Sequence, residues 1–178
     1  RFIDKIIQHN SGNIRKYALK GLSKLLDFQS TFDYFDKKKE ILSSLYTILV
    51  SDKDVISPFY AIDIMLKIIR TSEEKIMYII DVAEKYAKKT HTKIFDKLVD
   101  NLSERNKESK LKNYSLWFIN MIMNYCHPSK LPRILIQLRD VGIFEILENR
   151  KHTDKNFETQ VNIFLEKTQS VLSDSDYE

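Results

Sequence analysis

One cysteine, three glycines and three prolines are all that this chain of 178 residues contains. The lone Cys126 excludes an internal disulfide and fits a reducing compartment. So few glycines and prolines exclude a β-sandwich or barrel, which needs frequent turns. No run of about 18 apolar residues exists, so no transmembrane helix is expected. The longest apolar-rich stretch, YSLWFINMIMNYC (114–126), is interrupted by Ser115, Asn120 and Asn124. No secretory leader is expected. The chain opens on Arg1 and breaks off in SDSDYE, which reads as an excised piece of a longer protein.

Catalytic groupings are missing as well. The histidines stand at 9, 91, 127 and 152, and none is four residues from another. Zinc wants four nitrogen or sulfur ligands, and Cys126-His127 offers two. No two glycines lie close enough for a phosphate-cradling loop. There is no G-x-S-x-G and no motif around the cysteine. The carboxylates sit on charged helix faces, where solvation explains them. The expectation is no enzyme, no cofactor and no metal.

Charge of one sign is only slightly in excess: 29 Lys and Arg against 25 Asp and Glu, a net +4. The terminal Asp174, Asp176 and Glu178 are acidic, so the body is about three units more positive. Basic clusters occur at Lys37-Lys38-Lys39, at Lys88-Lys89 and at Arg105 with Lys107, Lys110 and Lys112. Acids interleave them, Asp33, Asp36 and Glu40 around the first and Glu104 and Glu108 around the third. Phosphate binders show a more one-sided face, so nucleic acid ranks behind a protein partner. A solvated helix surface also accounts for the pattern.

Helical periodicity is what the chain does have, throughout. Over residues 13–28 the apolar set is Ile14, Ala18, Leu22, Leu25 and Leu26. Over 37–50 it is Ile41, Leu42, Leu45, Ile48 and Leu49. Ser57 and Pro58 read as N-cap and first helical residue. The helix that follows is expected to bury Ile62, Met65, Leu66 and Ile69. Thr71 or Ser72, ahead of Glu73 and Glu74, reads as the next cap. Its helix uses Ile76, Ile79, Ile80, Ala83 and Tyr86. A further start lies near His91 and Thr92, leading to Ile94, Phe95, Leu98, Val99 and Leu102. SERNKESK (103–110) is the clearest loop, and Leu111 to Tyr125 the strongest core helix. Pro128 ends it. Helices over about 130–141 and 143–150 follow, and Thr153 caps a last one with Phe157, Val161, Phe164 and Leu165 inward.

About ten helices result, and no strand. Their pairs recur every 35 to 45 residues or so, close to the roughly 40–47 of armadillo and HEAT units. The fold class expected is all-α, an armadillo-like α-solenoid over 1–170 with an acidic tail over 171–178. A compact helical bundle is the other reading. Gly142, in LRDVGIFEIL (138–147), is expected at a junction between two helices, in the left-handed conformation that glycine takes without penalty.

Several stretches, taken in order, resemble the regulatory armadillo region of diaphanous-type formins, the formin-homology-three domain. They are SDKDVISPFYAIDIMLKII (51–69), KIFDKLVDNL (93–102), YSLWFINMIMN (114–124), LRDVGIFEIL and NFETQVNIFLE (156–166). The resemblance spans about residues 15 to 168. The armadillo-like region of engulfment and motility proteins is the nearest rival, and a generic armadillo or HEAT adaptor remains a second reading.

The resemblance implies a non-enzymatic, cytoplasmic, cytoskeleton-associated regulatory module. In such formins a GTP-loaded Rho-family GTPase binds a small subdomain plus the first repeats. The formin's own C-terminal amphipathic helix docks on the repeat groove until the GTPase displaces it. Actin is reached only through other parts of the protein. The family's Asn-Asn-x-Phe reads Gln29-Ser30-Thr31-Phe32 here, so Phe32 matches and the asparagine pair does not. Candidate GTPase contacts are Gln29, Ser30, Phe32, Lys37 and Lys38. Candidate groove positions for the inhibitory helix are Lys110, Asn113, Tyr114 and Trp117, with Trp117 equally readable as core. The resemblance places the start of the chain beyond the small N-terminal subdomain, which implies an incomplete GTPase site and a monomeric piece. No membrane partner is implied.

Overall fold

Each stretch of helical spacing folds as a helix in the computed structural model, which describes residues 5, 9, 11–38, 40–51, 56–69, 72–90, 94–103, 109–148 and 154–175. Ten α-helices form among the described residues, with no strand, as the periodicity predicts. They are α1 (Gly12–Leu25), α2 (Gln29–Asp36), α3 (Glu40–Ser51), α4 (Ile56–Ile69), α5 (Glu73–Thr90), α6 (Ile94–Leu102), α7 (Ser109–Tyr125), α8 (Leu131–Asp140), α9 (Ile143–Glu148) and α10 (Lys155–Ser175). A 3-10 turn, Pro128–Lys130, leads into α8. The chain divides into two units, Arg1–Ile94 and Phe95–Glu178.

In the first unit α4 is the centre, packed against α1, α2 and α3, while α3 also meets α5. Its sequence ISPFYAIDIMLKII is apolar nearly all round, as a helix surrounded by neighbours must be. Ile62, Ile64, Met65 and Ile68 have no exposed surface. The expected sets on α3 and α5 are buried, apart from Tyr86, which is half-buried. The Tyr86 ring stands edge-on to Tyr46 with centroids 5.5 Å apart. Ser72 caps α5 as expected, its Oγ accepting from the Lys75 N–H at 3.4 Å.

Two expectations for this unit need correction. Ser57 is not the flanking cap: α4 already includes Ile56, and Ser57 lies buried in its first turn. On α1, Ile14 and Leu25 face water, and the buried stripe is Leu19, Leu22, Ser23 and Leu26. A polar network accompanies that phase. The Ser23 hydroxyl donates to buried Asp63 on α4. The Lys67 ammonium donates to the Ser23 carbonyl at 2.8 Å and to Asp27 at 2.8 Å, and lies 3.4 Å from Asp63. Those bonds are available only with Ser23 turned inward.

In the second unit α10 packs along α7 and touches α8, and α9 folds back on α8. Phe157, Val161 and Phe164 are buried as expected, and Leu165 is half-buried. Asn120, 3 % exposed, donates to the Gln160 carbonyl at 2.8 Å and stitches α7 to α10. Asn101 likewise donates to Ser115 at 3.1 Å. Cys126 is a buried free thiol. His127 caps the 3-10 turn, its ring accepting from the Ser129 N–H. The expected starts at His91 and Thr92, the cap at Thr153, Thr71 as the other possible cap, and loop residues 104–108 lie outside the described residues. The carboxylate that does accept from the first turn of α10 is Asp154, which takes the Asn156 N–H at 2.9 Å. That helix runs on to Ser175, into the residues read as tail.

Gly142 has φ of 78°, as the junction reading requires. Its N–H donates to the Arg139 carbonyl at 2.9 Å, closing α8, and its carbonyl accepts from Ile146 at 3.2 Å, opening α9. A Cβ built there meets nothing nearer than Glu145 Oε2 at 4.0 Å, so the obstacle to a side chain is backbone strain rather than space. Gly142→Val is expected to lower stability by about 1–2 kcal/mol, and Gly142→Asn by less, because asparagine tolerates this region. Urea unfolding of the two variants checks the order. Equal loss would contradict it.

Candidate functional site

Two exposed helix edges carry the residues singled out from the sequence, one in each unit. In the first unit, Phe28 enters α2 in extended conformation, and its carbonyl accepts from the Thr31 and Phe32 N–H groups at 3.1 and 3.0 Å. With that start, Phe32 and Phe35, three apart, turn inward. Phe32 is 8 % exposed, and the Lys75 ammonium lies 5.8 Å from its ring centroid. It therefore supports the surface from beneath, and its ring does not stand free for a partner.

Gln29, Ser30, Lys37 and Lys38 are all exposed. Gln29 donates to Asp33, one turn on, at 2.7 Å. Lys38 donates to the Tyr34 hydroxyl at 2.7 Å, with its ammonium 4.3 Å from the ring centroid. Such a cation held on a ring face is worth about 0.5–1 kcal/mol when exposed. Sequence reading missed Tyr34, the exposed aromatic of this edge, and Phe28 before it. The signal was there: once Phe32 and Phe35 claim the inner face, Tyr34 falls on the outer one.

In the second unit Lys110, Asn113, Tyr114 and Trp117 recur at i, i+3, i+4 and i+7, so they share one stripe of α7. Lys110 is exposed, and Asn113 and Tyr114 are half-buried. Trp117 is 45 % exposed, so of its two readings the core one fails. Its ring meets Tyr114 edge-on at 5.9 Å. The inner side of the helix, including Leu111, Ser115, Leu116, Phe118, Ile119 and Ile122, is buried. Tyr125 and Ile136 add further exposed apolar surface in this unit.

Asn113 has a structural duty. Its amide donates to Asp154 at 2.8 Å, tying α7 to the start of α10. That bond, with the Asn156 and Phe157 N–H groups, holds the Asp154 carboxyl below its ordinary value. The stabilisation is therefore present above the ordinary value of 3.8 and is lost as pH falls through the lower folded value. Asn113→Ala is expected to move the Asp154 titration upward in a carbon-detected NMR pH series. An unmoved midpoint would show that the amide bond is not formed in solution.

Neither edge assembles catalytic groups. Among the described residues no three His, Cys, Asp or Glu side chains could hold a metal ion, and no helix is long and apolar enough to cross a membrane. What both edges offer is exposed aromatic surface beside ammonium groups, which suits a folded or helical protein partner.

Comparison with known proteins agrees with that character. Residues 12–146 match the model of the FHOD1/3 FH3 domain. Formin-C of Dictyostelium discoideum is 25 % identical over 161 residues, covering 89 % of this chain and 14 % of that protein. The chain thus spans about a seventh of that relative. Among solved structures, a designed armadillo repeat protein in complex with the peptide (KR)4 aligns with a TM-score of 0.63 at 15 % identity, over 93 % of this chain and 62 % of that one. A second designed armadillo repeat protein gives 0.67 at 15 % identity over the same shares. The expected armadillo-like fold is borne out.

Proposed function

This chain belongs to the FHOD1/3 FH3 domain family, and from that premise we propose that it binds a GTP-loaded Rho-family GTPase at the α2 edge and the formin's own C-terminal helix along α7. The domain itself is a non-catalytic formin regulatory module. The observation that carries the GTPase reading is the exposed outer side of α2, with Gln29 and Ser30 at its start and Tyr34, Lys37 and Lys38 at and just beyond its end. Lys37 makes no ion pair among the described residues. An acidic GTPase surface would find two ammonium groups and an aromatic face there.

Regulation then follows as a population shift. The GTPase favours the open protein only as far as it binds that state better than the closed one. A helix docked on α7 would use apolar anchors at i, i+4 and i+7 against Tyr114 and Trp117. Actin assembly, and the cytoskeletal location that goes with it, belong to the rest of the protein.

Lys37→Glu combined with Lys38→Glu is expected to weaken GTPase binding about tenfold or more, or about 1.4 kcal/mol. Both residues are exposed, and the Lys38–Tyr34 contact is lost, so stability should fall by no more than about 1 kcal/mol while binding falls further. The assay is pull-down and titration with the GTPase loaded with a GTP analogue or with GDP, using a chain extended at its N-terminus. Equal recovery in both nucleotide states would overturn the effector reading.

A further inference from the structure

Helix α1 exposes a second apolar row that nothing in the proposed function uses. Ile14, Tyr17 and Leu25 are 44, 68 and 52 % exposed, and Phe28, in the turn beyond, is 64 % exposed. Positions 14, 17, 21 and 25 form one stripe of the helix. Its middle position is Gly21, where an added Cβ would meet nothing within 4 Å, so the row has an open notch at its centre. Beside this stripe run Lys16, Lys20 and Lys24, at i, i+4 and i+8. Along Gly12–Leu25 there are four basic residues and no acid. None of the three lysines makes an ion pair among the described residues, and Lys16 lies 5.9 Å from the Tyr17 ring centroid.

From this arrangement we infer that α1 is a docking face for an acidic amphipathic helix of a partner protein. Such a helix would lay apolar residues at i, i+4 and i+7 over Ile14, Tyr17 and Leu25, with one large side chain entering the notch at Gly21. A row of Asp or Glu at four-residue spacing would face Lys16, Lys20 and Lys24. Complementary charge sets register and partner choice, and apolar burial supplies the affinity. An anionic membrane fits the face less well. Interfacial helices flank their apolar sector with bases on both sides. Here three of the four bases lie on one flank, and the other, toward Ala18 and Leu22, carries the half-buried Arg15 alone before it turns into the packed side of the unit. The notch, too, serves a protruding side chain rather than fluid lipid.

The test is a displayed library of helical peptides, with leucine fixed at i, i+4, i+7 and i+11 and the flanking positions randomised, selected on the intact chain. Selection should enrich Asp and Glu on one flank at four-residue spacing. Selection on the Lys16→Glu, Lys20→Glu, Lys24→Glu variant should enrich Lys and Arg there instead. Gly21→Leu fills the notch and should weaken the selected peptides at least about tenfold. Leucine favours helix over glycine, so this variant remains folded. Enrichment of no peptide, or of peptides that bind wild type and both variants alike, would overturn the inference. So would phosphatidylserine vesicles that bind the wild type and not the triple variant while no acidic peptide is selected, which would assign the face to a membrane.

Discussion

Phe164→Ala is expected to destabilise the chain by about 3–5 kcal/mol, in the range for a large buried ring. The side chain has no exposed surface, and its ring centroid lies 5.6 Å from that of Phe144. It stands on α10 between Val161 and Thr168, which are also buried, so the substitution leaves a cavity in the packed interior of this unit. Domains of this kind keep only about 5–15 kcal/mol in all, so the loss is a large share. A thermal midpoint lower by roughly 10 °C is expected. Phe164→Leu keeps most of the volume and should cost about 1.5 kcal/mol or less. Differential scanning calorimetry separates the two. If both variants lose the same small amount, the ring is not in a close-packed core.

Lys67→Met should cost about 3 kcal/mol, for a different reason. It removes the ammonium that pairs Asp63 and Asp27 and leaves the buried Asp63 carboxylate with the Ser23 hydroxyl alone. Adding Asp63→Asn to it should recover much of the loss, because the uncompensated charge is then gone. A double-mutant cycle read by urea unfolding should give a coupling of about 1–3 kcal/mol. Strict additivity would mean that the pair is not formed. The pH dependence follows from Lys67 itself. Burial works against its charge, but the hydrogen bond to Asp27 and the charges of Asp63 and Asp27 outweigh that and raise its pKa above the ordinary 10.5. The stability this adds is complete below about 10.5 and is lost as pH rises through the higher folded value. The wild type should therefore lose stability more steeply than Lys67→Met in alkali.

Helix α3 was legible from sequence because its apolar residues agree on one face: Ile41, Leu42, Leu45, Ile48 and Leu49 are all buried. Gly142 was legible because one conformational demand has one best residue, and its φ of 78° meets it. The two candidate edges were less legible. On α2 and the residue before it, aromatic residues stand at 28, 32, 34 and 35, and spacing alone does not say which ring faces water. On α7, Trp117 could have gone either way, since its immediate chain neighbours Leu116 and Phe118 are apolar while Lys110, Asn113, Asn120 and Asn124 on its own side of the helix are polar.

Helix α1 shows where the line falls. Its sequence determined that it would be a helix, that it would carry four bases and no acid, and that it would have apolar residues on more than one side. With two apolar rows competing, local periodicity could not choose between them. Tertiary structure chose: packing against α4 takes in Leu22 and Leu26 and brings the Ser23 hydroxyl and carbonyl to the Asp63 carboxylate and the Lys67 ammonium, both on α4. That choice buried Leu19 and left Ile14, Tyr17 and Leu25 in water. The helices themselves follow from local spacing. Which face of α1 remains open to partners depends on packing and polar contacts with residues some 40 positions away, as Asp63 is from Ser23.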